Sequence, residues 1–588
     1  MPSRVALASA ASGERGAAPA GALRAAPAAL PAPPLVPAIT ATKVDSFSDP
    51  DGDGKAEPGQ TITYTVTVTN NGTDATNVTF NDTIDPNTTL VPGSVSTQPI
   101  ASNDSYNVLG NVRIQPNAAA GLLANDCDPD NGGTCSSAGL TATGPATSVQ
   151  GGNVSVNADG SFSYNPPAGY EGADSFTYTV SDGTHTDTAT ASFTVNEVVW
   201  FVDNAAAPGG DGRLTSPYNS LASVSSGGDL DEPSDFIFIH EGVGTYDGGI
   251  VLEDGQRLIG QGTGLDAALT TFGVSAPAHS DARPAATSRP VLGNSAGNVI
   301  TLANGNSVLH LNAAASAASS SAIFGSASAG TTSVSNVGAS ATGGASGVSL
   351  LNHAGTFSMA NSFVAGNSTG VAVAVSGGAT GITFSSTSVS QSGGGRVVDV
   401  QSRTGGTVLF DAASSVTGTN GTTDAVSLLS NSGTVTFAGP VQLNTNAAGA
   451  RGLVADSGTV NLTNSGNAVS STGGAAVDLE NLAVNINFAT TFSTNSTGRG
   501  LRVDNVSGTA SFGNTAVNDS GNTGVLLTDN AAAVAFSDLD IAPNPGVRAL
   551  HAVNNAGTIT STSGVVVTTG AAAAVEIAGT SAAARSPL

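Results

Sequence analysis

Four aspartates in the second half of the chain stand at one place in a repeated phrase. Asp456, Asp478 and Asp504 each follow a glycine by four residues, in Gly452-Leu-Val-Ala-Asp456, Gly474-Ala-Ala-Val-Asp478 and Gly500-Leu-Arg-Val-Asp504. Asp399 holds the same phase two units before Asp456. If successive units stack, equal phase sets these carboxylates one above another at ~5 Å. A retaining glycosidase needs two carboxyl groups about 5–5.5 Å apart. The column is therefore a candidate for saccharide chemistry, or for binding a cation or a sugar. Arg502 is the basic residue the sequence puts beside it. The plainer reading is that each aspartate ends a strand and caps its own turn in water. From Ala282 to Val398 there is no Asp or Glu, which excludes that stretch as an acid-based site.

A second group of oxygen ligands lies earlier. Asp126, Asp128 and Asp130 fall at i, i+2 and i+4, beside Asn125, with Asn103 and Asp104 upstream. Hard oxygens at alternate positions are what Ca²⁺ coordination needs, so calcium is the cofactor this pattern implies. The alternative is a solvated acidic loop built on Asp-Pro and Asn-Gly turns. Asp49-x-Asp51-x-Asp53-Gly54 imitates the start of an EF-hand loop, but its twelfth position is Gln60 and no helix pattern flanks it. The only two cysteines, Cys127 and Cys135, share the acidic loop. A disulfide between them would close a short ring worth about 2–3 kcal/mol and imply an oxidising compartment. A zinc site would need a second Cys or His pair, and the six histidines are scattered with none at ligand spacing. No glycine-rich run opens a helix, so a phosphate loop is excluded.

The elements that must position these residues are short strands. From Gly297 onward, alternating runs of Val, Leu, Ile and Phe recur between Gly, Asn, Ser and Thr. Unit starts fall at Gly297, Ser321, Ser346, Ser368, Gly394, Gly421, Ala448, Gly474, Arg499, Thr523, Gly546 and Ala571, in steps of 22 to 27 residues. A period near 25 with several period-2 runs per unit predicts a solenoid, in which each unit buries its apolar side against the next. The repeat region has no Lys, against a helical solenoid. Three strands per unit joined by Gly/Asn/Ser turns predict a parallel β-helix with Leu453, Val477, Leu501, Val503, Val525 and Leu527 inside. The predicted fold class is all-β: two β-sandwich modules followed by a parallel β-helix solenoid.

Taken in order, the chain divides into an Ala/Pro-rich leader or linker over 1–38, a surface-repeat module over 39–98, a second sandwich over 99–196 and the solenoid over 197–588. In the first module Thr61-Ile-Thr-Tyr-Thr-Val-Thr-Val-Thr69 alternates as a strand with one wet face, Asn70-Asn-Gly72 turns, and a second strand is expected at Val78 to Phe80. With Asp49-Pro-Asp-Gly-Asp-Gly54, Pro58-Gly-Gln-Thr-Ile-Thr-Tyr64 and Pro92-Gly-Ser-Val95, this segment resembles the surface-repeat family labelled domain of unknown function eleven. That resemblance implies an immunoglobulin-like module on bacterial surface proteins. Leu123-Ala-Asn-Asp126, Asn157-Ala-Asp-Gly-Ser-Phe-Ser-Tyr164 and Asp174-Ser-Phe-Thr-Tyr-Thr-Val-Ser-Asp182 resemble the cadherin-like tandem domains of bacterial adhesins. Val198-Val-Trp-Phe-Val-Asp203, Asp235-Phe-Ile-Phe-Ile239 and Gln256-Arg-Leu-Ile-Gly-Gln-Gly262 are similar to the first coils of pectate-lyase-like β-helix proteins. That likeness implies the right-handed sense, with Trp200 plugging the first coil. The last unit stops at Thr580 with no evident capping element.

Composition narrows the function. The net charge is −26 and there are two lysines among 588 residues. Neutralising a phosphate backbone needs a basic patch, so nucleic acid is excluded as a partner, as is an anionic membrane surface. No run of 18 apolar residues is present, so no transmembrane segment is expected. Residues 1–38 lack the apolar core of a secretion signal, although everything downstream reads as extracellular. The expectation is an exported bacterial surface protein, adhesin-like, that contacts glycans or other surface components through the β-helix, with the sandwiches as spacer. The alternative is a polysaccharide lyase or glycoside hydrolase acting on the side of the solenoid.

Overall fold

The structure is a computed structural model that describes residues 37–71, 82–92, 94–130, 135–225, 230–568, 570 and 574–579. The chain forms two compact units, Met1–Ser94 and Val95–Leu588, and is all-β apart from one short α-helix and two 3₁₀ turns among the described residues.

In the first unit, strands Ile39–Ser46 and Thr63–Asn70 pair antiparallel, Ile39 opposite Asn70 and Ser46 opposite Thr63. The expected alternation is there, but the apolar side is not covered: Tyr64 and Val68 are 46% and 48% exposed. Among the described residues this unit shows one two-stranded antiparallel ribbon. The strand expected at Val78 to Phe80 lies outside them.

In the second unit a sandwich comes first. Its core is aromatic: Tyr164 stacks on Phe193 at 3.9 Å, with Phe162 and Phe176 around them. The strand Thr186–Val202 is the member that matters most. Its first part pairs antiparallel with Gly172–Ser181 and parallel with Asp104–Gly110. Its last four residues, Val199–Val202, pair parallel with Phe236–Ile239 of the first coil. The predicted boundary at 196/197 falls on a bulge inside this strand. There Leu109 pairs with Asn196 and Gly110 with Val198, while Glu197 is skipped at φ 54°. Gly110 is a glycine because a Cβ would meet Val198 at 2.7 Å.

The solenoid then runs for about 14 turns. One sheet takes one strand from each turn, thirteen in all, from Ile250–Val251 to Val575–Ala578. The other wall takes two strands per turn, such as Ser307–Leu309 and Asn312–Ala315, each in parallel register with its equivalent one turn on. The predicted unit starts from Gly297 to Gly546 each lie at, or up to five residues before, a strand of the thirteen-stranded sheet. The predicted interior residues Leu453, Val477, Leu501, Val503, Val525 and Leu527 are all buried. Inside, Phe384, Phe410 and Phe437 stack at 4.7 and 4.9 Å with rings 6° from parallel. The corners are held by asparagines: Asn530 donates to Val503 O and Asn555 to Leu527 O at 2.8 Å each, and Asn555 accepts from the Asn530 backbone N–H. These bonds supply partners for buried carbonyls that the coil itself leaves open.

The sandwich and the solenoid share a core. Trp200 is fully buried, stacked on Tyr218 at 5.8 Å, and donates its indole N–H to Asp235 at 2.8 Å. Ala168 of the sandwich packs against the same solenoid core, and a Cβ on Gly169 would meet the indole at 2.8 Å. On the outer side, the helix Leu265–Thr271 and the sandwich residues Leu109 and Val112 cover Phe201, Phe236 and Phe238. Arg113 pairs with Asp281 at 3.0 Å across the same boundary. The sandwich therefore covers the first coil as well as adjoining it. Trp200→Ala should cost about 3–5 kcal/mol and loosen both parts together. A thermal melt followed by circular dichroism, with limited proteolysis at the 196/197 boundary, checks this.

Candidate functional site

The register of the thirteen-stranded sheet decides the aspartate column. Strand Leu453–Ala455 pairs with Val477–Glu480 so that Leu453 faces Val477, and Val477 faces Leu501 on the following turn. Both steps are 24 residues, whereas the glycines that set the sequence phase are spaced 22 and then 26. Asp478 is thereby moved two residues along its strand. It stands opposite Val454 and Arg502, while Asp504 stands opposite Glu480. Asp399 falls in the column of Asp478 but is separated from it by Ser427 and Val454. The expected stack of aspartates is thus corrected: no two of them are neighbours in a column, and the one facing pair of carboxylates is Glu480 and Asp504.

In its place the sheet carries a strip of alternating charge. Arg451 grips Asp424 through Nε at 3.1 Å and Nη2 at 2.8 Å, and reaches Asp478 at 3.0 Å with Nη1. Arg502 is 3.6 Å from Asp478, 2.5 Å from Glu480 and 2.7 Å from Asp504. Asp504 also accepts from the Thr528 hydroxyl at 2.5 Å. Further along, Arg548 meets Glu576 at 2.9 Å, and Arg396 meets Asp399 at 3.0 Å. The arginines lie along the sheet, so Val454 and Leu526, which point outward in register, are only 4% and 8% exposed.

The electrostatics follow. Asp424 holds the Arg451 guanidinium charged beyond its usual range, against the opposing effect of burial. Burial works to raise Asp504, but Thr528 and Arg502 outweigh it and keep that carboxyl below the usual range. Asp456 stands apart, its Oδ1 accepting from the Ser430 N–H at 2.5 Å and the Ser457 hydroxyl at 2.9 Å. The backbone N–H it serves is that of the turn of the coil before it, at Ser430, rather than of its own. The carboxylates of Asp478 and Asp504 are shared out to arginines and Asp456 to a turn, so the three do not form a paired acid and base. Beside the strip is a shallow open groove of about 300 Å³ whose wall includes Asn481, Asn505 and Ser507. Asn505 donates to Asn481 across one turn at 2.7 Å.

The residues read as calcium ligands divide. Asp104 and Asp126 come together over the Tyr178 hydroxyl, which lies 2.8 and 3.3 Å from their oxygens. Burial first, then the charge of Asp126, pushes the Asp104 carboxyl up to about 6, against the Tyr178 hydrogen bond. Asp126 is raised too, again chiefly by burial, and takes the Ser102 N–H at 2.7 Å. Asp128 instead bonds the Asp130 N–H at 2.9 Å, Asp130 bonds the Thr97 N–H at 2.5 Å, and Asn103 bonds the Thr190 N–H at 2.8 Å. The i, i+2, i+4 set therefore does not converge: outside any regular strand, Asp126 turns in to Tyr178, while Asp128 and Asp130 are taken by the backbone N–H groups of Asp130 and Thr97. Cys127 and Cys135 are joined by a disulfide, with Cα atoms 5.0 Å apart. Asp49, Asp51 and Asp53 bring ligand atoms within 4.8 Å of one another, all exposed, and Asp49 is occupied by the N–H groups of Gly52, Asp53 and Gly54. The sequence missed the Asp424–Arg451–Asp478 link. Arg451 precedes its strand by two residues just as Arg499 does, and that spacing was the available signal.

Comparison with known proteins adds one identification. Residues 96–197 match the family model of the bacterial cadherin-like domain. No curated protein and no solved structure matches the chain. The second unit is thus an immunoglobulin-like cadherin domain continued without a break into a β-solenoid. No helix among the described residues is long and apolar enough to cross a membrane.

Two outcomes test this geometry. Arg502→Met leaves Asp478, Glu480 and Asp504 facing one another and should cost about 2 kcal/mol, less in high salt, read as a fall in Tm. The Asp504 contribution to stability is fully present above a pH of about 4 and is lost as pH falls through its lowered folded pKa. Asp104 has the opposite sign. Its folded pKa lies above the unfolded value, so its site gains stability as pH falls from about 6 towards 4. Asp104→Asn should raise Tm at neutral pH and flatten that acid-side gain.

Proposed function

We propose that the chain is an exported, adhesin-like bacterial surface protein whose solenoid makes the contact and whose cadherin-like domain seals and presents it. The observation that carries this reading is the match of residues 96–197 to the bacterial cadherin-like domain, on a chain whose one disulfide belongs to an oxidising compartment. Two further features support it. The net charge of −26 leaves no basic surface for nucleic acid or anionic lipid. The outward positions of the two-stranded wall are mostly Ser, Thr and Asn, such as Ser333, Ser358 and Thr383 in one column, which suits hydrogen bonding to glycans or other surface polymers. The module at Ile39–Gln98 joins this proposal as a surface repeat, on the motifs quoted above.

The lyase or hydrolase reading needs a free carboxylate pair, and the arginine partners of Asp478 and Asp504 weigh against it. Calcium enters the proposal at one place, the Asp104–Asp126 pair. Two carboxylates held together over Tyr178 repel each other when both are ionised, and a divalent cation would relieve that repulsion. About 1 mM calcium should then raise Tm at neutral pH in the natural chain and leave Asp104→Asn unchanged. For the function itself, the full chain is tested on a glycan array and in a bacterial adhesion assay. Binding in either supports the proposal, and silence in both rejects it.

A further inference from the structure

One side chain on the solenoid is out of keeping with its surroundings. Phe363 is 41% exposed, the one large aromatic so exposed among the described residues of the second unit. It lies on the second strand of the two-stranded wall, Phe363–Asn367, where it faces Gly338 on the turn before and Ser388 on the turn after. Gly338 has no unusual φ, so its backbone conformation does not require glycine. Space does: a Cβ there would come 2.3 Å from Cζ of Phe363 and 2.5 Å from Oδ1 of Asn312. The ring therefore lies down over the Gly338 backbone, which it buries, and leaves its other face to solvent. No other ring stacks on it among the described residues.

The surroundings are polar and uncharged. Ser388 stands opposite the ring on the turn after, and Ser340 and Ser390 stand opposite Ala365, two residues along. All three point outward, and the Ser340 and Ser390 hydroxyls donate to Ala313 O and Val364 O at 3.4 and 3.5 Å, which leaves their oxygens to accept. From Pro290 to Gly395 the sequence holds no Asp, Glu, Lys or Arg. A single flat aromatic ringed by hydroxyls and free of charge matches the two sides of a pyranose: an apolar face of C–H groups and a rim of hydroxyls. A protein partner would call for a wider apolar patch, and an acidic polymer for basic groups that the face lacks.

We propose that Phe363, seated on Gly338, is a stacking platform for one residue of a neutral glycan, with Ser340, Ser388 and Ser390 supplying the rim contacts. This rests on the surface-binding reading above and names its site and ligand class. The test titrates the full chain with a neutral β-linked glucan oligosaccharide and a neutral mannan oligosaccharide, with an oligogalacturonate as the acidic probe, followed by saturation-transfer NMR and calorimetry. A neutral probe should bind. Phe363→Ser, which continues the serine column above it, should weaken that binding about tenfold or more. Phe363→Tyr should retain it, and the acidic probe should not compete. Circular dichroism shows whether either variant remains folded, and the tyrosine variant keeps the test valid if the serine one does not. Undiminished neutral-glycan binding by Phe363→Ser overturns the platform while leaving the surface-binding reading in place. Failure of both neutral probes also overturns it. Self-association of the chain that Phe363→Ser abolishes would assign the ring to a contact between copies and overturn it as well. Silence on glycans and on cells alike removes both readings.

Discussion

Each turn of the solenoid is hydrogen-bonded, in parallel register, to the turn below it, and every property of the long half of this chain follows from that. Parallel strands stack at ~4.8 Å, so a side chain has its closest outward neighbours about one turn away in sequence rather than next to it. Nothing in this geometry lets two like charges face each other without cost. The strip from Arg396 to Glu576 meets the constraint by setting guanidinium groups among the acids: Arg451 bridges Asp424 and Asp478, and Arg502 gathers three carboxylates, the facing Glu480 and Asp504 among them. The interior meets it by likeness, since identical rings such as Phe384, Phe410 and Phe437 stack well at this spacing.

A stack of this kind must also be closed where it starts. An open first turn would expose Phe236 and Phe238 on one side and the coil interior on the other. The cadherin-like domain closes both, with Leu109 and Val112 outside and Ala168 against the core. The strand Thr186–Val202 belongs to both parts, and the bulge at Glu197 changes its partners in mid-course. A domain built this way transmits its orientation to the solenoid.

The chemistry of the surface is divided between two walls. The one-strand wall carries Arg396, Arg451, Arg502 and Arg548 together with the acids that pair with them, and it spends that charge on itself. The two-strand wall is uncharged over several turns and presents hydroxyl oxygens and the Phe363 ring, although hydroxyls such as those of Ser340 and Ser390 donate to backbone carbonyls. A polymer without charge has reason to prefer the second wall, and the first gives the coil a salt-dependent share of its stability.

How far the sequence reached depended on the range of the interactions concerned. Period, strand alternation and the Gly/Asn/Ser corners are local, so the all-β class, the repeat and the buried positions from Leu453 to Leu527 were all legible in one dimension. The cadherin-like segment was legible for the same reason, because Tyr164, Phe176 and Tyr178 sit in local alternating runs. Register was not. The glycines before Asp456, Asp478 and Asp504 are turn residues whose spacing varies by four while the strands step by 24, and strand pairing rather than glycine phase decides who faces whom. Whether Asp478 meets another aspartate or an arginine, whether Asp126 turns in to Asp104 or out to Asp130, and whether a phenylalanine lies bare over a glycine are all contacts across turns or between strands. Composition and periodicity carry no record of such contacts. They are fixed when the chain folds and buries its apolar side in the one register that leaves each backbone N–H a partner.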